Sequence, residues 1–257
     1  MESITSRSNP LCAHLRKLAA SASHRRESGE FLCDSPKLLE EVLLWRRELL
    51  KTVLCTDPGK LPELPERTRV VVVPESLMEY LSPARTPQGV ISLCRKPEEA
   101  LPETLPGRRY ALLDGVQDPG NVGTILRTAD PAGYKLAILM KGTADVYAPK
   151  VVRAATGSLF RMPVVFMDSN SELVEFSRAA GKKLVATCFD TKRYYFDEDL
   201  TKDIALIIGN EGNGISEELM ESSDLKIKIP MQGNIESLNA SVAAGILMYE
   251  AVRGKKG

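Results

Sequence analysis

The segment Ile204-Ala-Leu-Ile-Ile-Gly-Asn-Glu-Gly-Asn-Gly-Ile-Ser216 decides how the chain folds. Residues 204–208 form an apolar run with no polar face. Such a run suits a strand covered on both sides of a parallel sheet. The glycine- and asparagine-rich loop 209–214 follows at once, and Ser216-Glu217-Glu218 reads as a helix start. Two other segments have the same order of strand, loop and helix: 114–130 (DGVQDPGNVGTILRTAD) and 229–250 (IPMQGNIESLNASVAAGILMYE). Glycine lacks a side chain and helix N-termini present free N–H groups, so backbone can come close to a ligand at such loops. Three of them converging would build one pocket suited to a nucleotide-like cofactor.

Working outward, residues 110–114, 136–140, 163–167, 183–188 and 225–229 read as further strands. Helices are expected over 121–130, from 150 to 155, over 172–180 with Gly181 as the stop, and over 237–252. In the last of these, Leu238, Val242, Ile246 and Tyr249 fall on one stripe, read as the buried face. Strands joined by helical crossovers make this half a parallel α/β sheet. Upstream, residues 1–96 alternate in the same way: a helix over 10–21, a strand at 31–33, a helix over 37–50 opened by Pro36, and strands at 51–55, 69–73 and 90–94. Residues 97–107 (PEEALPETLPG) carry three prolines and three glutamates without a core pattern and read as a linker. The expected organisation is therefore 1–96, a linker over 97–107, and 108–257.

Composition narrows the function classes. No run of about 18 apolar residues is present, and the N-terminus lacks an apolar signal core. Five scattered cysteines form no C-x-x-C pair, which points to reduced thiols in a cytoplasmic protein and to no metal site. Net charge is zero, with 34 basic and 34 acidic residues. The charge is unevenly spread: residues 3–26 hold Arg7, Arg16, Lys17, Arg25 and Arg26, both histidines of the chain, and no acid. Such a segment is either a solvated helix face or a phosphate-contacting surface.

Each loop admits a plain reading and a functional one. Asn121 is placed to cap the helix that follows. Arg127, outside the Val122, Ile125 and Leu126 core pattern, is either a surface arginine, one paired with Asp130 or another carboxylate, or a guanidinium held beside a phosphate or ribose. The order G-x-x-G-x-G over 209–214 is not the dinucleotide fingerprint, and no P-loop is present, so a nicotinamide-dependent dehydrogenase is disfavoured. Glu211 is not explained by turn chemistry and could accept from ribose hydroxyls or hold Arg127. Ser216 and Ser237 are ordinary cap candidates. Ile229, Met231 and Leu238 offer apolar surface to a base ring, and Ser237 and Asn239 add polar groups.

Taken in order, these motifs resemble the SpoU/TrmH branch of the SPOUT RNA methyltransferases. The resemblance rests on Asn121-Val-Gly123 with Arg127-Thr-Ala129, on Gly209-Asn-Glu211-Gly-Asn-Gly214, and on Ile229-Pro-Met231 with Ser237-Leu-Asn239. The intervening Arg153-Ala-Ala-Thr-Gly157-Ser158-Leu-Phe160 is similar to the family's loop between the first two motifs. Residues 4–10 (ITSRSNP) and 25–31 (RRESGEF) resemble the family's N-terminal domain, with Cys33-Asp34-Ser35-Pro36 standing where relatives often have Glu-Gly.

The resemblance implies an α/β fold: a C-terminal parallel-sheet SPOUT domain with a deep trefoil knot, a rare exception to unthreaded topology, and a small N-terminal L30e-like α/β domain. It further implies S-adenosylmethionine as cofactor, a homodimer sharing its active sites, and methyl transfer to a ribose 2′-hydroxyl of RNA, ribosomal rather than transfer RNA. On this reading Gly209, Asn210, Glu211, Gly214, Ile229, Met231, Ser237 and Leu238 hold the cofactor. Asn121, Arg127, Glu211, Ser237 and Asn239 line the reacting centre, while Arg7, Arg16, Lys17, Arg25, Arg26 and Arg153 contact RNA. The alternative is a non-catalytic RNA-binding relative that keeps the knot. The family proposal makes Arg127 the base; guanidinium, with a pKa above about 12, is better suited to an electrostatic clamp, leaving Glu211 or a phosphate as proton sink.

Overall fold

The computed structural model describes residues 2–97, 107–233 and 237–253. The first stretch gives β1 (Glu2–Ser3), α1 (Pro10–Ala20), α2 (Ala22–Ser28), β2 (Glu30–Cys33), α3 (Pro36–Trp45), β3 (Leu50–Cys55), β4 (Arg69–Val72), α4 (Glu75–Leu81) and β5 (Val90–Arg95). There follow β6 (Arg109–Asp114), α5 (Pro119–Ala129), β7 (Leu136–Met140), α6 (Pro149–Ala155), α7 (Ser158–Arg161), β8 (Val164–Met167) and α8 (Asn170–Ala179). The chain closes with β9 (Lys183–Thr187), β10 (Ile204–Gly209), α9 (Glu217–Ser222), β11 (Leu225–Ile227) and α10 (Ala240–Arg253). No described helix is long and apolar enough to cross a membrane.

Two compact units emerge. The first, Met1–Glu98 with Asp145–Phe160, is built on a mixed sheet of order β1-β4-β3-β5-β2. Its core gathers Leu15 and Leu18 of α1, Leu77 and Leu81 of α4, and Leu54 and Ile91 of the central strands. Asp145–Phe160, which the sequence reading assigned to 108–257, packs here instead. Asp145 pairs with Arg25 at 2.7 Å, Arg153 pairs with buried Asp34 at 2.7 Å, and the rings of Tyr147 and Phe160 lie 5.0 and 6.2 Å from Phe31. The expected linker lies outside the described residues, save Pro97 and Gly107 themselves.

The second unit, Glu99–Ala144 with Arg161–Gly257, is the parallel sheet expected from the apolar runs, in the order β11-β9-β10-β6-β7-β8. Central β6 and β10 are buried along nearly their whole length, so both faces need helical cover. Their register pairs Gly209 with Asp114. The first and second loops therefore leave neighbouring strands at the same carboxyl edge. Strand order reverses there, which is where open α/β sheets accept ligands.

Several local expectations need correction. α3 stops at Trp45 because Leu50 is recruited into β3, opposite Cys94, after a 3-10 turn at 47–49. α2 and α4 were not anticipated; α2 is a short charged helix without an apolar stripe. α10 begins at Ala240, not at Ser237, and it buries Ala244, Leu247, Met248 and Ala251. The Leu238, Val242 and Tyr249 stripe is the opposite face: Val242 and Tyr249 are each 51% exposed. The helix is apolar nearly all round, so periodicity alone could not choose its inner side.

Candidate active site

The second loop is folded by its own backbone. Asn210 N donates to Gly214 O at 2.8 Å and Gly214 N donates back to Asn210 O at 2.9 Å. A Cβ on Gly209 would meet the carbonyl carbon of Gly214 at 2.4 Å, so no other residue fits there. Gly214, at φ 70°, takes the left-handed conformation that closes the turn. The Asn210 side chain staples the arrangement: its Oδ1 accepts from the amides of Gly212 and Asn213, and its Nδ2 donates to Gly115 O at 2.8 Å. The two loops are thereby locked together.

Glu211 extends the lock. Its carboxylate accepts from Gln117 N at 3.0 Å, Asp118 N at 3.1 Å and Asn121 Nδ2 at 2.8 Å. Burial pushes its pKa up, but the hydrogen bonds from Asn121, Gln117 and Asp118 outweigh this and hold it below the usual carboxylate value. An acid held in its ionised form is a poor proton sink, so that role does not suit Glu211. Nor does Glu211 pair with Arg127.

Asn121 is buried and lies inside α5; it does not cap the helix. The cap is Asp118, whose Oδ1 accepts from Asn121 N at 2.9 Å, with Pro119 at the first helical position. The freed Asn121 side chain bridges two motifs. It donates to Glu211 and accepts from Asn239 Nδ2 at 3.0 Å. Asn239 in turn caps α10, accepting from Ser241 N at 2.9 Å and from Val242 N. Ser216, positioned as the α9 cap, makes no side-chain cap bond; its amide donates to Asp114.

A cavity of about 520 Å³ opens beside this chain of contacts, within the range of roughly 300–1,000 Å³ typical of small-molecule sites. The second loop contributes Gly209, Asn210, Glu211 and Gly214, while the third segment contributes Ile229, Met231, Ser237 and Leu238. All eight sequence-derived cofactor positions thus border one space. Asn239 borders it too; Asn121 and Arg127 do not. Arg127 is exposed, and its side chain has no hydrogen bond or ion pair among the described residues. Sequence reasoning missed Thr187, Cys188 and Phe189 at the end of β9, and Lys228 after β11. No glycine marks these positions; the signal was the pairing of β9 with β10.

Of the six candidate RNA contacts, Arg25 is buried and tied to Asp145 and the Leu18 carbonyl, and Arg153 is held by Asp34. Arg7, Arg16, Lys17 and Arg26 are exposed.

The sequence model of the SpoU rRNA Methylase family matches residues 108–249, which include all three motifs. The chain belongs to the SpoU rRNA methylase family. A relative from Bacillus subtilis, 23S rRNA (guanosine(2553)-2′-O)-methyltransferase, is 36% identical over 97% of this chain and 98% of its own. One from Streptomyces viridochromogenes, 23S rRNA (uridine(2479)-2′-O)-methyltransferase, is 35% identical over 93% and 80%. The crystal structure of an AdoMet-bound rRNA methyltransferase from Sinorhizobium meliloti superposes on this SpoU chain with a TM-score of 0.87, at 30% identity, covering 100% of this chain and 99% of that one.

Proposed function

We propose that this SpoU-family chain is an S-adenosylmethionine-dependent methyltransferase acting on a ribose 2′-hydroxyl of ribosomal RNA. The observation that carries the reading is the hydrogen-bonded chain Asn239–Asn121–Glu211, which joins all three motifs at the rim of the cavity. The cavity suits the cofactor chemically. Ile229, Met231, Leu238 and Leu247 give apolar cover for a purine ring, and a loop without side chains at Gly209, Gly212 and Gly214 allows close backbone approach. When bound, S-adenosylmethionine supplies an electrophilic methyl group.

The protein's own part is positioning and electrostatics. Asn121 fixes the first loop against the second, Glu211 anchors the amides of residues 117 and 118, and Asn239 ties the start of α10 to both. Ser237, at the cavity edge with no hydrogen bond among the described residues, is assigned to substrate or cofactor. Arg127 acts as a cation that lowers the pKa of the attacking hydroxyl, whose proton passes to bulk water as the oxygen takes the methyl group.

Arg127 stands outside the cavity of a single chain, which accords with a site completed by a second copy. The exposed Val242 and Tyr249 stripe on α10 supports a homodimer, since α10 packs along α5, the helix that bears Arg127. The trefoil knot belongs to the same reading, supported by the way three successive chain segments wrap one cavity. So do the L30e-like assignment of the first unit and its role in RNA binding. The test is incorporation of labelled methyl groups into protein-free 23S rRNA, with nuclease and alkali mapping to locate the methylated ribose. Alkali-sensitive product, or transfer to a base, would remove the ribose assignment.

A further inference from the structure

Two of the exposed arginines near the N-terminus share an unusual arrangement. Arg7 lies in the loop before α1 and Arg16 lies on α1, yet both guanidiniums reach the same ring. Their Cζ atoms lie 4.5 and 5.0 Å from the centroid of Tyr80 on α4. Arg16 Nη1 also donates to the Tyr80 carbonyl at 3.1 Å. The loop bearing Arg7 is held in place: Ile4 N donates to Val72 O at 3.0 Å, and Asn9 caps α1 by accepting from Leu11 N at 2.9 Å.

Neither guanidinium is within ion-pairing distance of a carboxylate among the described residues. Arg25, Arg69 and Arg153 of the same unit each have such a partner. Two like charges gathered on one ring and left without a counter-ion form a site for a doubly contacted anion. A guanidinium resting over an aromatic ring keeps its N–H fork free for phosphate oxygens.

We propose that Arg7, Arg16 and Tyr80 form a clamp for the sugar–phosphate backbone of the substrate RNA, which rests on the reading of RNA as substrate. Tyr80 is the positioning residue; the two guanidiniums make the contacts. Phosphate contacts fix register and carry no base information, so the clamp anchors the RNA without selecting the nucleotide.

The experiment is filter binding of the full chain to a protein-free bacterial 23S rRNA transcript over a series of KCl concentrations. Each phosphate contact contributes about 0.7–0.9 to the slope of log K against log salt. R7A/R16A is expected to lower that slope by about 1.4–1.8 and to weaken binding at least tenfold, with S-adenosylmethionine binding by calorimetry unchanged. Arg69→Ala, an arginine already paired with Glu2, keeps the wild-type slope. Tyr80→Phe keeps the ring and the affinity, whereas Tyr80→Leu keeps the charges but loses affinity. Should the double variant fail to fold, R7Q and R16Q singly are each expected to lose about 0.7–0.9 of slope. A wild-type slope in R7A/R16A, or in both single variants, overturns the clamp even where methyl transfer persists. RNA binding with the predicted slope changes but no methyl transfer by the wild type overturns the enzymatic reading and leaves the clamp standing.

Discussion

Asn239 Nδ2 donates to Asn121 Oδ1 at 3.0 Å, and through that one bond the third motif is tied to the first. The two residues are 118 positions apart in sequence. Asn121 passes the connection on to Glu211, so a single buried amide sets how the three loops meet.

Asn121→Ala removes the bridge without removing a cavity wall, because Asn121 does not border the cavity. Methyl transfer is expected to fall about 10²-fold, the cost of a small misplacement of reacting groups. The dissociation constant for S-adenosylmethionine should change only a few fold. Single-turnover kinetics with calorimetry on the same preparation checks both.

Glu211→Gln tests the ionised carboxylate. Its folded pKa is depressed below the ordinary value of 4.5. It therefore contributes stability that is fully present above that value and is lost as pH falls through the folded pKa. Urea melts should show the variant about 0.5–1 kcal/mol less stable at neutral pH, a small figure because the group is solvent-facing. The difference should close below pH 4.5.

Gly209→Ala sets a methyl group against the Gly214 backbone at 2.4 Å. The loop must open, at a cost of about 1–3 kcal/mol. Weaker cofactor binding is expected by calorimetry, together with a lower thermal midpoint.

Tyr249→Glu places a charge on the exposed stripe of α10. The folded chain is expected to persist, since the residue is half exposed, while sedimentation shifts from dimer to monomer and methyl transfer is lost.

Much of the second unit was legible because its central strands, such as 204–208 and 136–140, are continuous apolar runs between strong breakers. The loops that border the cavity were legible from glycine content and order. What was hidden depends on tertiary choice. Asp118 and Asn121 are both capping residues three positions apart, and Pro119 at the first helical position is the feature that favours Asp118. α10 offers two apolar faces, and only packing selects Ala244 and Leu247 over Val242 and Tyr249. Arg25 and Arg153 look like surface cations in sequence; their partners Asp145 and Asp34 lie more than a hundred residues away.

Methyl transfer at a site formed by Arg127 with the cavity stands or falls on one variant. Arg127→Ala is assayed for methyl incorporation into 23S rRNA beside calorimetry with S-adenosylmethionine. Transfer is expected to be lost with cofactor affinity retained, because Arg127 does not border the cavity. Wild-type transfer by Arg127→Ala would remove Arg127 from the reacting centre.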